Sequence, residues 1–191
     1  MNFRYIIDNR EIYIKEYFET NKDGYPSIEY ENLNLGDIII YFKETPIFII
    51  ERKTLPDLLA SIKDGRYIEQ KKRLKDSNIK HKIYLIENDK NYSKCLTQIE
   101  KRTISSSLLS IIVQDINVIK TRNLVDTIKF LESLYNKLFT KENNTIKDCL
   151  LGTYDDSNKQ IISCKKKSTC PKMCFKNQLC QIPGISTVAA N

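Results

Sequence analysis

The run Gly36-Asp37-Ile38-Ile39-Ile40-Tyr41-Phe42-Lys43-Glu44-Thr45-Pro46-Ile47-Phe48-Ile49-Ile50-Glu51-Arg52-Lys53 decides the fold. Residues 37–42 and 47–50 are dense in Ile and Phe, and the polar Lys43-Glu44-Thr45-Pro46 separates them. Two apolar runs joined by a short polar loop read as a β-hairpin buried on both faces. A turn centred on Glu44 sets Asp37 directly opposite Glu51. Residues opposite one another in an antiparallel pair share a face, with Cβ atoms about 5 Å apart. Two carboxylates so placed repel unless a cation joins them, and hard oxygen donors of this kind suit Mg²⁺ or Mn²⁺. Lys53, two residues past Glu51, falls on the same face, and Arg52 points the other way. Taken alone, the pattern also fits an edge hairpin whose charges are solvated stops.

Outward from the hairpin, Leu55-Pro56-Asp57 opens a helix, because proline suits a first turn. Leu58, Leu59 and Ile62 supply its apolar stripe, continued by Ile68 and Leu74, and Gly65 predicts a break between the two groups. Residues 82–86 read as a buried strand ending at Glu87, 105–113 as a helix, 117–120 as a short strand and Leu124–Phe139 as an amphipathic helix. Before the hairpin, Phe3–Asp8 reads as a strand and 27–33 as an alternating one. The segment between them, with a turn at Lys22-Asp23-Gly24-Tyr25-Pro26, is too mixed to assign. The order predicts an α/β domain of three layers, with a central mixed sheet, over residues 1–139. Residues 140–163 read as a polar linker and 164–191 as a separate basic, cysteine-containing segment.

The chain of 191 residues carries 31 Lys and Arg against 24 Asp and Glu, a net charge of +7 that favours a polyanionic partner. Abundant Ile, Lys and Asn dilute that signal, since such a bias adds lysines without function. The single histidine, His81, excludes mechanisms needing two and argues against Ser-His-Asp chemistry. No apolar run approaches the roughly 20 residues of a membrane helix, and Asp8 comes too early for a signal peptide. An intracellular protein with reduced cysteines is expected. Cys164, Cys170, Cys174 and Cys180 could hold a structural zinc, but without a Cys-x-x-Cys step free thiols are the expectation. Lys63, Arg66, Lys71, Lys72, Arg73, Lys75, Lys80 and Lys82 form a basic cluster, either a solvated helix face or a phosphate-contacting surface.

Gly36-Asp37, thirteen residues, then Glu51-Arg52-Lys53-Thr54-Leu55-Pro56-Asp57 resembles the pattern Gly-Asp-X(n)-Glu-Arg-Lys-X-X-X-Asp of the XPF-type structure-specific nucleases. Asp8-Asn9-Arg10-Glu11 resembles their first-strand motif, and Tyr84-Leu85-Ile86-Glu87 a later strand. The segment from Ser61 through Asp64-Gly65-Arg66 and Glu69-Gln70-Lys71 to Leu74 is similar to that of the crossover-junction endonuclease branch. The resemblance runs from about Phe3 to Phe139 and implies a restriction-endonuclease-like core. It implies a metal-dependent endonuclease cutting branched DNA (3′ flaps, forks, nicked junctions) in repair or recombination. Asp37, Glu51, Asp8 and Glu11 would ligate Mg²⁺ or Mn²⁺. Asp37, Glu51, Lys53, Arg52, Asp57 and Asp8 would form the catalytic centre. Arg10, Lys71, Lys72 and Arg73 would face DNA, and Arg66 and Gln70 DNA or the site wall.

Gln181-Ile182-Pro183-Gly184-Ile185 resembles the opening of a helix-hairpin-helix, whose glycine turn, here Gly184, offers backbone N–H groups to phosphate. Related nucleases carry two such hairpins, and this chain carries part of one. The resemblance also implies a homodimer, or a heterodimer with a related nuclease-domain subunit, expected to form through the face carrying Leu124–Phe139 and its neighbours. It implies action in the nucleus of a eukaryotic cell or at a site of viral DNA replication. The alternative is a non-catalytic DNA-binding subunit of a heterodimeric nuclease, which the intact Asp37, Glu51, Arg52, Lys53 and Asp57 argue against.

Overall fold

A computed structural model describes residues 3–139. Six strands, β1 (Phe3–Asp8), β2 (Ile28–Glu31), β3 (Ile38–Phe42), β4 (Thr45–Thr54), β5 (His81–Glu87) and β6 (Asn117–Thr121), form one sheet in the order β2-β1-β3-β4-β5-β6. The central pairs β1–β3 and β3–β4 are antiparallel, and the outer pairs are parallel. The sheet is therefore mixed, as the element order predicts. The helices are α1 (Ile12–Thr20), α2 (Leu55–Lys63), α3 (Arg66–Asp76), α4 (Lys90–Cys95), α5 (Gln98–Ile112) and α6 (Leu124–Phe139).

Strand alternation sends successive side chains to two different cores. Tyr5, Ile7, Ile38, Ile40, Phe48, Ile50, Ile83 and Leu85 pack with α1 and α6 through Ile14, Phe18, Ile128, Leu131, Tyr135 and Leu138. Ile39, Ile49, Tyr84 and Ile86 pack on the other face with α2, α3 and α5 through Leu58, Leu59, Leu74, Ile104, Leu108 and Ile111. This double burial is why β3, β4 and β5 read as nearly unbroken apolar runs. The three layers agree with the expected fold class.

The hairpin reaches its register by a route the sequence does not disclose. Its tip is two residues, Lys43-Glu44, with Phe42 paired to Thr45 and Tyr41 to Pro46. The ladder then shifts between Ile40 and Tyr41, so that Ile40 faces Phe48, Ile39 faces Ile49 and Ile38 faces Ile50. Ile47 is the extra residue of a β-bulge, and both it and Phe48 enter the core under α1 and α6. The ladder ends there, and Asp37, just before Ile38, donates its N–H to the Ile50 carbonyl, next to Glu51 in the chain.

Three details go beyond the sequence. The unassigned segment after β1 forms α1, which buries only Ile14 and Phe18 while Ile12 and Tyr13 stay exposed, so its period is blurred. Helix α6 turns Thr127, Ile128, Leu131, Tyr135 and Leu138 into its own core and leaves Val125 exposed. The basic cluster is divided, because α3 runs from the site end of the sheet toward the start of β5, taking Lys75, Lys80 and Lys82 away from the carboxyl end of β4. Gly65 does break the helix, at φ +82°. No helix among the described residues is long and apolar enough to cross a membrane. The linker, Gly184 and the four-cysteine segment lie outside the described residues.

Candidate active site

The carboxyl ends of β1 and β4 and the start of β3 lie at the same end of the sheet's interior strands. Gly36 makes the close approach possible. Its φ is +72°, and a Cβ there would lie 2.7 Å from Ile49 Cγ1 and 3.2 Å from the Ile50 carbonyl oxygen, which only glycine avoids. Asp37 follows and is tied on both sides. Its N–H donates to the Ile50 carbonyl at 2.8 Å, and its own carbonyl accepts the Asp8 N–H at 2.8 Å. Its Oδ2 accepts the Arg52 backbone N–H at 2.6 Å.

Asp37 and Glu51 line a single cleft of about 120 Å³ with Arg10, Asn34, Leu35, Gly36, Gln70 and Arg73. Burial pushes the Asp37 carboxyl above its ordinary value. Burial, and then repulsion from Asp37, push Glu51 up to about 7. Lys53 is 9% exposed, and its Nζ donates to Gln70 Oε1 at 2.9 Å and stands 3.7 Å from Glu51 Oε1. Gln70, read from the resemblance as facing DNA or the site wall, lines the cleft and holds the lysine beside the acid pair.

Asp8 is fully buried and has no open oxygen. Oδ1 accepts the Arg10 backbone N–H and Nε, and Oδ2 accepts Arg10 Nη2 and the Leu33 N–H, all within 2.7–2.8 Å. The Arg10 hydrogen bonds hold its carboxyl down at about 2. Arg10 also donates to the Leu33 carbonyl at 3.0 Å, and Arg73 to the Asn34 carbonyl, so two guanidinium groups pin the loop before Gly36.

Arg52 and Glu11 sit on the opposite face. The guanidinium lies between Glu11 (3.0 Å) and Glu87 (2.8 and 3.2 Å), and Glu87 also accepts from Thr127 Oγ1 at 3.2 Å. Burial pushes Glu11 up to about 7. Spacing could place Arg52 off the acid face but could not reveal Glu87, 35 residues away. Asp57 is exposed, accepts the Thr54 hydroxyl at 2.6 Å, and caps α2 with it. Arg66 pairs with Asp64 at 2.7 Å, Lys71 donates to Ser110 Oγ at 2.7 Å, and Lys72 is exposed.

Of the four expected ligands, then, the cleft gathers Asp37 and Glu51. Asp8 borders it through Arg10, and Glu11 belongs to the Arg52 cluster. Among the described residues, no three Asp, Glu, His or Cys side chains converge on a closed cation site. Mg²⁺ keeps several waters and commonly takes only one or two protein carboxylates beside substrate phosphate. Two close carboxylates with raised proton affinity fit that donor set.

The ERCC4 domain model matches residues 7–134. Relatives include crossover junction endonuclease MUS81 of Oryza sativa subsp. japonica, 30% identical over 85% of this chain and 26% of that protein, and of Kluyveromyces lactis, 33% identical over 82% and 26%. This chain spans about a quarter of their length. The fold is similar to XPF from Aeropyrum pernix solved in complex with DNA, with TM-score 0.57 and 20% identity over 98% of this chain and 78% of that one. The ERCC4 match covers more than half of the sequence and contains every residue of the cleft, so the chain belongs to the ERCC4-domain family.

Proposed function

We propose that residues 1–139 form the nuclease domain of a metal-dependent endonuclease that hydrolyses phosphodiester bonds near branches in DNA. The observation that carries this reading is the convergence of Asp37, Glu51 and Lys53 on one face, with Arg10 and Arg73 on the same cleft. The names of the MUS81 relatives support the substrate class. Asp37 and Glu51 would hold Mg²⁺ or Mn²⁺. Such an ion, when bound, polarises a phosphoryl oxygen and makes its water more acidic. Lys53, held by Gln70, orients the attacking water and stabilises charge that develops at phosphorus. Arg10 and Arg73 screen the phosphates entering an otherwise acidic cleft. Asp8 fixes Arg10, and Arg52 with Glu11 and Glu87 fixes the pitch of β4.

Self-association or pairing with a related subunit belongs to the same reading. With the α6 stripe turned inward, the exposed Ile99, Leu109, Ile112 and Val113 of α5 (Ile112 and Val113 at its end) are the apolar surface that supports it. Action on chromosomal DNA would place the protein in a nucleus, or at a replication site for a viral chain.

The test is cleavage of labelled 3′ flap, fork, nicked junction and linear duplex in Mg²⁺, with EDTA and Asp37→Ala as controls. Branch-proximal products that vanish in both controls are expected. Cleavage that survives Asp37→Ala at full rate overturns the reading.

A further inference from the structure

A second cavity opens on the same sheet face as the acid pair, one strand away. Ile86, which pairs with Lys53, forms its floor, and Leu96, Ile104 and Leu108 form its walls. All four are buried core residues. The rim is of a different character. Lys120 stands beside Ile86 on β6, in register with it, and Lys101 and Ser105 lie one turn apart on α5. Neither lysine has an acidic partner among the described residues. Asn88, just past β5, is fixed by its backbone N–H to the Thr121 carbonyl at 2.7 Å, yet its Oδ1 is buried without a hydrogen-bond partner.

Each feature restricts the ligand. A cavity of about 140 Å³ is well below the roughly 300 Å³ at which drug-sized sites begin, so it takes a single ring system. Apolar walls favour a flat face, as in enzymes that hold an unstacked base between apolar side chains. A buried amide oxygen without a donor is costly and asks for an N–H edge. Two unneutralised lysines at the rim ask for negative charge on either side of the ring.

We propose that this cavity binds one unpaired nucleotide of a DNA single strand, its base inside against Ile104 and Leu108 and its phosphates at Lys101 and Lys120. The choice of DNA rests on the nuclease reading above. On that reading, the cavity holds the frayed strand of a branch one strand away from the acid pair. Linear duplex, with every base stacked, cannot fill it without paying for unstacking. The domain thereby gains a means of sensing a branch that the sequence-blind lysines of α3 do not supply.

The test uses the full chain and a short single-stranded oligodeoxynucleotide carrying one 2-aminopurine, in EDTA so that nothing is cut. The expected result is a change in 2-aminopurine emission on binding. Ser105→Phe, which fills the cavity, should abolish it, and the surface double variant Lys101→Ala/Lys120→Ala should weaken affinity about tenfold. If Ser105→Phe does not fold by thermal melting, the lysine double variant decides alone. Unchanged emission with wild type, or unchanged affinity in the lysine double variant, overturns the proposal. A parallel Mg²⁺ cleavage assay separates the two readings. Cleavage without an emission change removes the nucleotide site and leaves the nuclease, whereas an emission change without cleavage under any divalent ion does the reverse.

Discussion

The Asp37 carboxylate accepts the backbone N–H of Arg52 at 2.6 Å, so a side chain forms the last rung between β3 and β4. Oδ2 is thereby committed, and Oδ1 has no hydrogen-bond partner among the described residues. One residue both closes the hairpin and supplies an oxygen to the cleft.

Asp37→Asn and Glu51→Gln should each lower the cleavage rate at least a hundredfold, about 2.7 kcal/mol of barrier, while leaving DNA affinity in Ca²⁺ nearly intact. The asparagine amide oxygen can still accept the Arg52 N–H, so the fold survives. Single-turnover cleavage and filter binding check this, and a rate within about tenfold of wild type refutes the assignment.

Lys53→Ala should reduce the rate at saturating substrate more than it weakens binding, because the lysine acts on charge present in the transition state. Gln70→Ala should show the same signature in smaller degree, since it releases Lys53 Nζ from its 2.9 Å hydrogen bond. Weaker binding at an unchanged rate would reduce Lys53 to a phosphate contact.

Glu51 and Glu11 are held near 7 in the fold against 4.5 for a free glutamate. A raised folded value means that folding takes up protons, so this contribution is complete below about 4.5 and is lost as pH rises through about 7. Asp8, lowered to about 2 from 3.8, contributes above 3.8 and is lost as pH falls toward 2. In EDTA the thermal midpoint should therefore be higher at pH 5.5 than at pH 8. Stabilisation by Mg²⁺ should grow as pH rises through about 7, because the cation then competes with fewer protons at Glu51. Melting curves across pH, with and without Mg²⁺, test both. A metal-free midpoint that climbs from pH 5.5 to 8 contradicts the reading.

Arg52→Ala should destabilise the domain by about 3 kcal/mol, because it leaves Glu11 and Glu87 facing one another without their shared cation. Both carboxylates are only about 15% exposed. Urea unfolding measures the loss, and a change below about 1 kcal/mol would make the cluster a surface ion pair.

Gly36→Ala should cost about 1–3 kcal/mol, combining a positive φ with the 2.7 Å approach to Ile49 Cγ1. Cleavage should fall with it, since the displaced backbone carries Asp37. Equal stability and activity would mean that the loop relaxes freely.

The layer order, all six strands and the acid face are legible in the sequence because double burial, proline and glycine leave local marks. The Arg52 cluster is not, because its two acids come from positions 41 and 35 residues distant, Glu87 brought beside β4 by the parallel β4–β5 pairing and Glu11 by the turn from β1 into α1. Gln70 shows the same limit: its place on α3 leaves DNA and the site wall both open, and the docking of α3 on β4 brings it to Lys53. The basic cluster is divided for a related reason, because closeness in sequence says nothing of where a helix ends relative to the strands it covers.

The bulge at Ile47 separates the length of the hairpin tip from the geometry of the acid pair. Two residues directly opposite across a two-residue tip must have an even number of residues between them, and Ile38 and Ile50, the last pair before the acids, have eleven. Ile47 absorbs the odd one. Removing it would leave a hairpin without the bulge, with Ile38 still against Ile50 and the acids still at its open end. Parity, and not length, is what the tip must respect, and a movable odd residue lets the chain satisfy it in steps of one.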